Sequence, residues 1–243
     1  MKFLSKVGLY VLMILAFSCS KEEEPPTSPQ PATGCFDKRA YTDQLPNLDF
    51  EDWSSPLESA GRYEEPCGGV WATGNGGTVL DDSKVTTVKT TDAHNGKFAA
   101  KMTTVLAFGL VSGGSIYAGK FKLNLADPAK SAKQGVPFGL RPLSFNGFFK
   151  YQPVNGDSAN IIVLLTRFNN MTNKRDTVAF NQLPTYDLTN DYTEFIIGLN
   201  YNYPSGNLDP DTIVVNFTSS KGAEFFKGEV GSTLYIDNCK FTY

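Results

Sequence analysis

The body of the chain alternates short apolar segments with turn-forming residues. The segments are rich in β-branched and aromatic residues, and clusters of Gly, Asn, Asp and Pro separate one from the next. No segment keeps a helical period, and no repeat of fixed length is present. The pattern therefore predicts an all-β domain, a β-sandwich of the jelly-roll type. Its strands are predicted at residues 85–90, 97–105, 144–151, 159–167, 192–199, 211–217 and 232–243.

The last predicted strand, 232–243, contains an irregularity. Its apolar residues alternate up to Ile236, but the next one, Cys239, follows after two intervening residues instead of one. Because side chains alternate between the two faces of a strand, an extra residue must bulge out of the pairing. We predict a β-bulge at Asp237 and Asn238 that turns Asp237 away from its strand partners.

The composition supports the β assignment and excludes some partners. Aromatic residues make up 13% of the 243 residues, beside 22 Gly and 14 Pro, as expected for strands and turns. The chain has 22 Lys and Arg against 25 Asp and Glu, with no basic cluster, so nucleic acid is not an expected partner. The single histidine, His94, lies in a predicted turn, and we interpret it as a turn residue rather than a catalytic base.

The N-terminus has the pattern of an export signal. Lys2 and Lys6 precede an apolar stretch at residues 8–17 that is too short to span a bilayer. This stretch runs into Cys19 through a sequence that resembles a bacterial lipobox, in which the cysteine is diacylated and becomes the mature N-terminus. We predict a lipoprotein signal peptide at residues 1–18, lipidation of Cys19 and attachment to a membrane through the lipid.

Residues 19–45 are predicted to be a lipidated tether, and residues 46–243 the folded domain. The tether begins with an acidic run, continues with a Pro-rich stretch, and holds too few apolar residues to build a core. The acidic run is similar to the signal that exports certain lipoproteins to the outside of the outer membrane. It therefore predicts an outer-membrane, lipid-anchored and cell-surface location. A plain solvated charge run is the alternative interpretation.

Three cysteines remain after Cys19, in a compartment that permits disulfides. They are Cys35, Cys67 and Cys239, so one bridge and one free thiol are expected. Their connectivity cannot be determined from the sequence. Cys35–Cys67 is the favoured pair, because both residues flank the first strand in Pro- and Gly-rich loops.

A set of short motifs is distributed along the predicted domain. The motifs are NLDFEDW at 47–53, GVWATGN at 69–75, DAHNGKFAAKM at 92–102, YAGKF at 117–121, GVPF at 135–138, RP at 141–142, FFKY at 148–151 and GSTLYIDN at 231–238. Together they resemble the PCMD family, a carbohydrate metabolism domain found in surface lipoproteins of glycan-foraging bacteria. The resemblance covers roughly residues 46–243 and implies a galactose-binding-like jelly roll with carbohydrate-binding or glycoside-hydrolase activity.

The resemblance also implies a structural calcium ion. Many carbohydrate-binding jelly rolls hold calcium between an early-strand Glu and an Asp in the closing strand, with carbonyl oxygens from a turn. The matching positions here are Glu51, Asp237 and the turn at residues 94–97. Calcium prefers six to eight oxygen ligands, which suits such a mixed set. The alternative is that the two carboxylates are simply hydrogen-bonded near the chain ends.

Candidate sugar-binding residues follow from the chemistry of sugars, which offer an apolar face to an aromatic ring and a polar rim to hydrogen-bonding groups. Trp71 and Asn75 lie together in a Gly-rich stretch that reads as a loop. Tyr203 follows in an Asn-Tyr-Asn-Tyr-Pro segment, and Arg141 lies in a turn-rich one. We predict that these four residues bind carbohydrate.

Three classes of function remain open. A surface lipoprotein that captures glycan without cleaving it is favoured, because no catalytic constellation is visible. A glycoside hydrolase would need two carboxylates across a cleft. Asp81, Asp82, Asp209 and Asp211 are candidates that the sequence cannot pair. A structural or adhesion protein of the cell surface is the third class.

Overall fold

The computed structural model of the protein describes residue 35 and residues 43–55, 63–82 and 84–243. The predicted signal peptide, Cys19 and most of the predicted tether lie outside the described residues. Within the described part of the chain, no helix is long and apolar enough to cross a membrane.

Nearly all of the regular structure is β-strand, and every predicted strand is confirmed within a few residues of its predicted bounds. The strands are β1 (Trp71–Thr73), β2 (Thr87–Thr90), β3 (Ala99–Thr103), β4 (Val105–Ala107), β5 (Leu110–Ser112), β6 (Ser115–Phe121), β7 (Ala132–Gln134), β8 (Val136–Pro137), β9 (Ser144–Gln152), β10 (Ala159–Asn169), β11 (Lys174–Thr185), β12 (Thr193–Gly198), β13 (Thr212–Thr218) and β14 (Thr233–Thr242). The described helical turns are α1 (Asn75–Thr78) and 3₁₀ turns at Pro128–Lys130 and Ala223–Phe225.

Two antiparallel sheets form the sandwich. The seven-stranded sheet has the order β1-β6-β13-β10-β11, with β7 paired to β6 and β8 paired to β13. The five-stranded sheet has the order β12-β9-β14-β3-β2, and β4 and β5 form a separate hairpin. Because most neighbouring strands in the two sheets are not consecutive in sequence, this is the crossed topology of a β-sandwich rather than a simple meander.

The hydrophobic core lies between the two sheets. On β13, Ile213, Val215 and Phe217 are fully buried, whereas Val214 and Asn216 between them are half-buried on the opposite face. This alternation follows from the period of two residues in a strand. The five-stranded sheet contributes its own inward-facing apolar side chains to the same cluster, which include Met102, Phe145, Tyr151, Leu234 and Ile236.

The predicted bulge in β14 is confirmed. The pairing of β14 with β9 shifts register between Asp237 and Lys240, and Asn238 has a φ of 48°. The extra residue keeps Ile236 and Cys239 both in the core. As a result the Asp237 side chain leaves the regular ladder and is free to contact a neighbouring turn.

The packed unit begins before residue 46, where the tether was predicted to end. Leu45 is 2% exposed in the core, and the Gln44 side chain donates a hydrogen bond to the carbonyl of Phe241. The favoured disulfide, Cys35–Cys67, is present, and Cys239 is a buried free thiol. The bridge therefore links Cys35, which lies within the predicted tether, to Cys67 of the folded domain.

Candidate functional site

Two carboxylates from distant parts of the chain hold the turn at residues 94–98. Asp237 Oδ2 accepts hydrogen bonds from the backbone N–H groups of His94 (2.7 Å) and Asn95 (3.0 Å). Glu51 Oε1 accepts from the backbone N–H groups of Lys97 (2.8 Å) and Phe98 (3.1 Å). The bulge in β14 therefore orients the Asp237 side chain toward this turn.

Glycine is required at the apex of the turn. Gly96 has a φ of +69°, a conformation that side-chain-bearing residues rarely adopt. A Cβ atom at this position would overlap the Glu51 carboxylate. The absence of a side chain therefore allows Glu51 to approach the turn closely enough to accept its two hydrogen bonds.

One oxygen of the Asp237 carboxyl group accepts no hydrogen bond. Asp237 is 1% exposed, and its Oδ1 is buried without a hydrogen-bond partner. Burial raises the pKa of this carboxyl, and the nearby Glu51 carboxylate adds to the rise, although the backbone N–H groups oppose it. A buried acceptor beside a second carboxylate can be satisfied by a proton or by a cation.

These residues fit the predicted calcium ion to a limited extent. Glu51 and Asp237 supply hard oxygen ligands at one turn, as calcium prefers. No cluster of three or more His, Cys, Asp or Glu side chains suited to a metal occurs among the described residues. Backbone carbonyls and water would have to complete the coordination shell.

The same turn is fastened to the outer face of the five-stranded sheet. Lys150 of β9 forms an ion pair with Asp92, and the Tyr192 hydroxyl donates to the Asp92 carbonyl oxygen at 2.6 Å. The His94 ring stacks on Phe148 with 3.6 Å between ring centroids. These contacts, together with the carboxylates, fix the turn to the sheet.

Lys150 is unusually buried for a lysine, with 6% of the residue exposed. Its ammonium group lies 4.5 Å from the ring centroid of Tyr235 and 5.2 Å from that of Tyr192. Lys101 approaches Tyr235 at 5.6 Å. The aromatic rings and Asp92 together compensate the cation for its lost water, so this cluster is used to hold the turn against the sheet.

The structure corrects the predicted role of Trp71. This residue lies in β1 rather than in a loop and is 6% exposed. Its ring packs near Phe50 and Phe217, and its indole N–H donates to the carbonyl of Pro46 at 2.7 Å. Neither face of the ring is available for a sugar, so Trp71 is a core residue.

The predicted role of Asn75 is corrected in the same way. Asn75 starts the short helix α1 and is fully buried. Its side-chain N–H donates to the carbonyl of Thr87, and its side-chain oxygen accepts from the backbone N–H groups of Thr86 and Thr87. This amide joins α1 to the start of β2, and its complete burial excludes contact with a ligand at the surface.

Arg141, by contrast, contacts the surface loop that carries Tyr203. Arg141 lies between β8 and β9, and Tyr203 lies on the loop between β12 and β13. The Arg141 guanidinium lies 4.3 Å from the Tyr201 ring centroid and donates to the carbonyls of Leu208 (2.8 Å) and Gly206 on that loop. Tyr203 is 37% exposed there. We call this loop, with the arginine bound to it, the Arg141–Tyr203 loop; Tyr201, which was not among the predicted binding residues, is the ring that orients the arginine.

Two of the four carboxylates considered for hydrolysis, Asp81 and Asp211, serve structural contacts. Asp81 pairs with Lys84 and accepts from the backbone N–H of Phe108, and both interactions lower its pKa. At Asp211, burial acts to raise the pKa, but hydrogen bonds from Phe168, Arg175 and Thr212 lower it to about 2. Both groups are ionised at neutral pH, so neither suits the role of a general acid.

A different carboxyl, Glu65, has the raised pKa that those candidates lack. Its Oε1 accepts from the Thr73 hydroxyl at 2.8 Å, while its Oε2 is buried without a partner. The Tyr117 hydroxyl is likewise buried and unpartnered. Burial raises the pKa of Glu65 to about 7, against the opposing hydrogen bonds from Thr73. No sequence motif marks this residue, because its burial depends on the packing of its segment beside β1.

The fold places the protein in the class of β-sandwich domains with a jelly-roll topology. Residues 49–242 match the model of the family described as "Putative carbohydrate metabolism domain", the PCMD family. The chain belongs to this family, in agreement with the resemblance of its motifs. Among curated proteins, none matches the chain.

Solved structures share this fold. A protein from Bacteroides vulgatus described as a putative glycoside hydrolase has a TM-score of 0.68 and 20% identity, covering 80% of this chain and 96% of that chain. A similarly described protein from Bacteroides thetaiotaomicron has a TM-score of 0.68 and 19% identity, covering 84% of this chain and 72% of the other. At this level of identity the likeness establishes the fold.

Proposed function

We propose that the protein is a lipid-anchored surface protein that binds carbohydrate without cleaving it. Membership of the PCMD family supports a role related to carbohydrate. The observation that carries the proposal is the surface loop where Arg141 stacks on Tyr201 beside the exposed Tyr203. An oriented cation next to an exposed aromatic ring offers both of the surfaces that a sugar requires.

The two residues have different tasks in this proposal. The Tyr203 ring provides a stacking surface for the apolar face of a sugar. Two of the guanidinium N–H groups of Arg141 fix the loop through carbonyl oxygens. Since a guanidinium has five N–H donors in a planar fork, others remain to bind sugar hydroxyls.

One calcium ion is proposed as a structural cofactor held by Glu51 and Asp237. The unpartnered Oδ1 of Asp237 and the adjacent Glu51 carboxylate support it. Bound there, the ion would neutralise two neighbouring carboxylates and so stabilise the turn at residues 94–98. It would take no part in binding the sugar.

The cellular setting is proposed from the N-terminal sequence. Cys19 would carry the lipid, and the acidic run that follows it would direct the protein to the outer face of the outer membrane. A diacyl chain with a further acyl group anchors a protein stably, whereas one chain does not. Carbohydrate captured there would be held close to the cell.

Glycoside hydrolysis is the second candidate function, and Glu65 is the residue that favours it. A pKa of about 7 suits a general acid near neutral pH. Against this role, its Oε2 is buried, and it shares no described hydrogen bond with a second carboxylate. Binding is therefore the better supported function.

A glycan panel tests the proposal. The full chain in detergent is run through native gels that contain hydroxyethylcellulose, galactan, arabinoxylan or polygalacturonate, and each mixture is also assayed for new reducing ends. We expect retardation by at least one polysaccharide, no reducing-end release, and binding weakened about five- to thirtyfold by Tyr203→Ala, the value of a stacking contact of roughly 1–2 kcal/mol.

Tyr186→Ala is the matched control, because Tyr186 is exposed on another part of the surface. It should leave retardation unchanged. Retardation by no polysaccharide would contradict carbohydrate binding, and steady release of reducing ends would replace binding with hydrolysis.

A further inference from the structure

The outer face of the seven-stranded sheet has an unusual composition for a surface. Its middle consists of two rows of paired residues, which together we call the open face. One row is Asn216, Ile162 and Gln182, and the other is Val214, Leu164 and Phe180. An exposed antiparallel face normally carries charged and polar side chains. This one carries aliphatic, aromatic and amide groups, and none of its six residues is charged.

The open face is accessible among the described residues. Gln182 is exposed, and the other five residues are half-buried, as expected for side chains that stand on a sheet without a third layer over them. Contiguous apolar surface of this kind marks binding sites more often than plain solvated surface.

Some polar side chains beside and within the open face have an oxygen atom without a hydrogen-bond partner. Asn160, 4% exposed, donates to Gln182 at 3.0 Å, but its Oδ1 is buried and unpartnered. The Oδ1 of Asn216 is also buried and unpartnered. Tyr117 on β6 is the residue opposite Asn216 on β13, and its hydroxyl is likewise buried and unpartnered. The amide side chains of Asn160, Asn216 and Gln182 therefore place hydrogen-bonding groups beside the apolar ones, a combination that suits a ligand with hydroxyl groups.

The open face is continuous with the Arg141–Tyr203 loop. At the adjoining end of β10, the Arg167 guanidinium donates to the Asp209 carbonyl at 2.9 Å. The backbone N–H of Asp211 also donates to the Thr166 carbonyl at 2.9 Å. The segment that carries Tyr203 therefore returns directly onto the strands that form the open face.

We propose that the open face binds the chain of a neutral polysaccharide that continues from the Arg141–Tyr203 loop. This inference rests on the proposed carbohydrate binding. The aliphatic row meets the C–H faces of the sugars, and the amide groups meet their hydroxyls. The six residues of the open face include no cation that would offset the charge of an acidic polysaccharide. At this end of the sheet Arg175 is paired with Asp211, and Arg167 donates to a backbone carbonyl.

Gel retardation with the same neutral and acidic polysaccharides tests the inference in the full chain. Phe180→Ala and Gln182→Ala should each weaken retention by neutral polysaccharide about three- to tenfold, with unchanged circular dichroism. Each has a matched control on the outer face of the other sheet. Ile196, 66% exposed on β12, and Gln152, exposed on β9, should tolerate Ile196→Ala and Gln152→Ala without loss.

The outcomes separate this inference from the proposed function. If polysaccharide retained Phe180→Ala and Gln182→Ala as well as the wild type, the open face would not be the binding surface, but carbohydrate binding itself would still hold. The same conclusion would follow if polygalacturonate were the only polysaccharide that retained the protein. Retention by nothing would overturn both. If the two variants instead shifted sedimentation from dimer to monomer without affecting retention, the open face would be an interface between copies and the inference would be wrong.

Discussion

Within the described part of the chain, Glu65 and Asp237 are the carboxyl residues in which a buried side-chain oxygen lacks a hydrogen-bond partner. Burial raises the pKa of both. Their surroundings differ, however, because Asp237 has a second carboxylate nearby and Glu65 has the tyrosine hydroxyl of Tyr117. A cation is a reasonable partner only for Asp237, so we expect Glu65 to hold a proton instead.

Glu65→Gln should remove part of the pH dependence of stability. The folded state holds the Glu65 proton up to about pH 7, while the unfolded state releases it near 4.5. Wild-type stability should therefore fall as pH rises from about 4.5 to 7, by up to about 3 kcal/mol from this group. Urea unfolding at pH 5 and pH 8 measures the fall, which should be smaller in Glu65→Gln.

Glu64→Gln is the control for that measurement. Glu64 is the adjacent residue, and its carboxylate pairs with Lys89 at 2.8 Å. The same chemical change there should leave the fall in stability between pH 5 and pH 8 close to that of the wild type. An identical pH dependence in wild type and Glu65→Gln would show that Glu65 is not protonated in the fold.

At the scale of elements, the turn at residues 94–98 connects the first and last segments of the domain through hydrogen bonds. Glu51 comes from the start of the domain and Asp237 from its last strand, and both bind backbone N–H groups of one turn. The turn is therefore sensitive to anything that changes the charge of these two carboxylates.

Calcium should stabilise the protein through this turn. A ligand that binds only the folded state at a hundred times its Kd adds about 2.7 kcal/mol, which corresponds to roughly 5–10 °C in Tm for a domain of this size. We expect calcium to raise Tm and chelator to lower it, with both effects lost in Glu51→Gln and Asp237→Asn. Equal melting of chelated protein and protein shown by elemental analysis to carry calcium would rule out the site.

The strands were predictable where one face is apolar and the other polar, as in β13, because alternation alone encodes that arrangement. β11 was missed, since Lys174–Thr185 is largely polar and contains a proline near its end. The bulge at Asp237 was predictable because it breaks a local period. Trp71 and Asn75 were not, because glycines after a tryptophan indicate a loop, whereas here Trp71 lies in a strand and the glycines belong to a helical turn that begins at the buried Asn75.

The Cys35–Cys67 bridge should stabilise the sandwich at its N-terminal edge. It closes a loop with a sequence separation of 32, for which roughly 2–4 kcal/mol is expected. Cys67→Ala should lower the unfolding free energy by about that amount in urea titrations. Reductant should lower the wild type to the same value and leave Cys67→Ala unchanged. A variant as stable as the oxidised wild type would contradict a stabilising bridge.

At the scale of the whole molecule, the two outer faces of the sandwich have different uses. The outer face of the five-stranded sheet is occupied by its own turn through Asp92, His94 and Lys150. The open face of the seven-stranded sheet has no such cover among the described residues. This asymmetry leaves one broad surface for a ligand.

Anchoring of the whole molecule depends on Cys19 in this account. Cys19→Ala should release the protein from cell membranes into the soluble fraction, because the attached lipid is the expected membrane anchor. Fractionation and immunoblotting measure the distribution. Cys239→Ala, which removes a buried thiol, should stay with the membrane. Full retention of Cys19→Ala in the membrane fraction would contradict lipidation at this residue.

The most direct test of carbohydrate binding is calorimetric titration of the full chain, in detergent, with the polysaccharide that retards it most. We expect saturable heat of binding and a polysaccharide recovered with no new reducing ends. Absence of saturable binding to hydroxyethylcellulose, galactan, arabinoxylan and polygalacturonate, or cleavage of the bound polysaccharide during the titration, would contradict carbohydrate binding without cleavage.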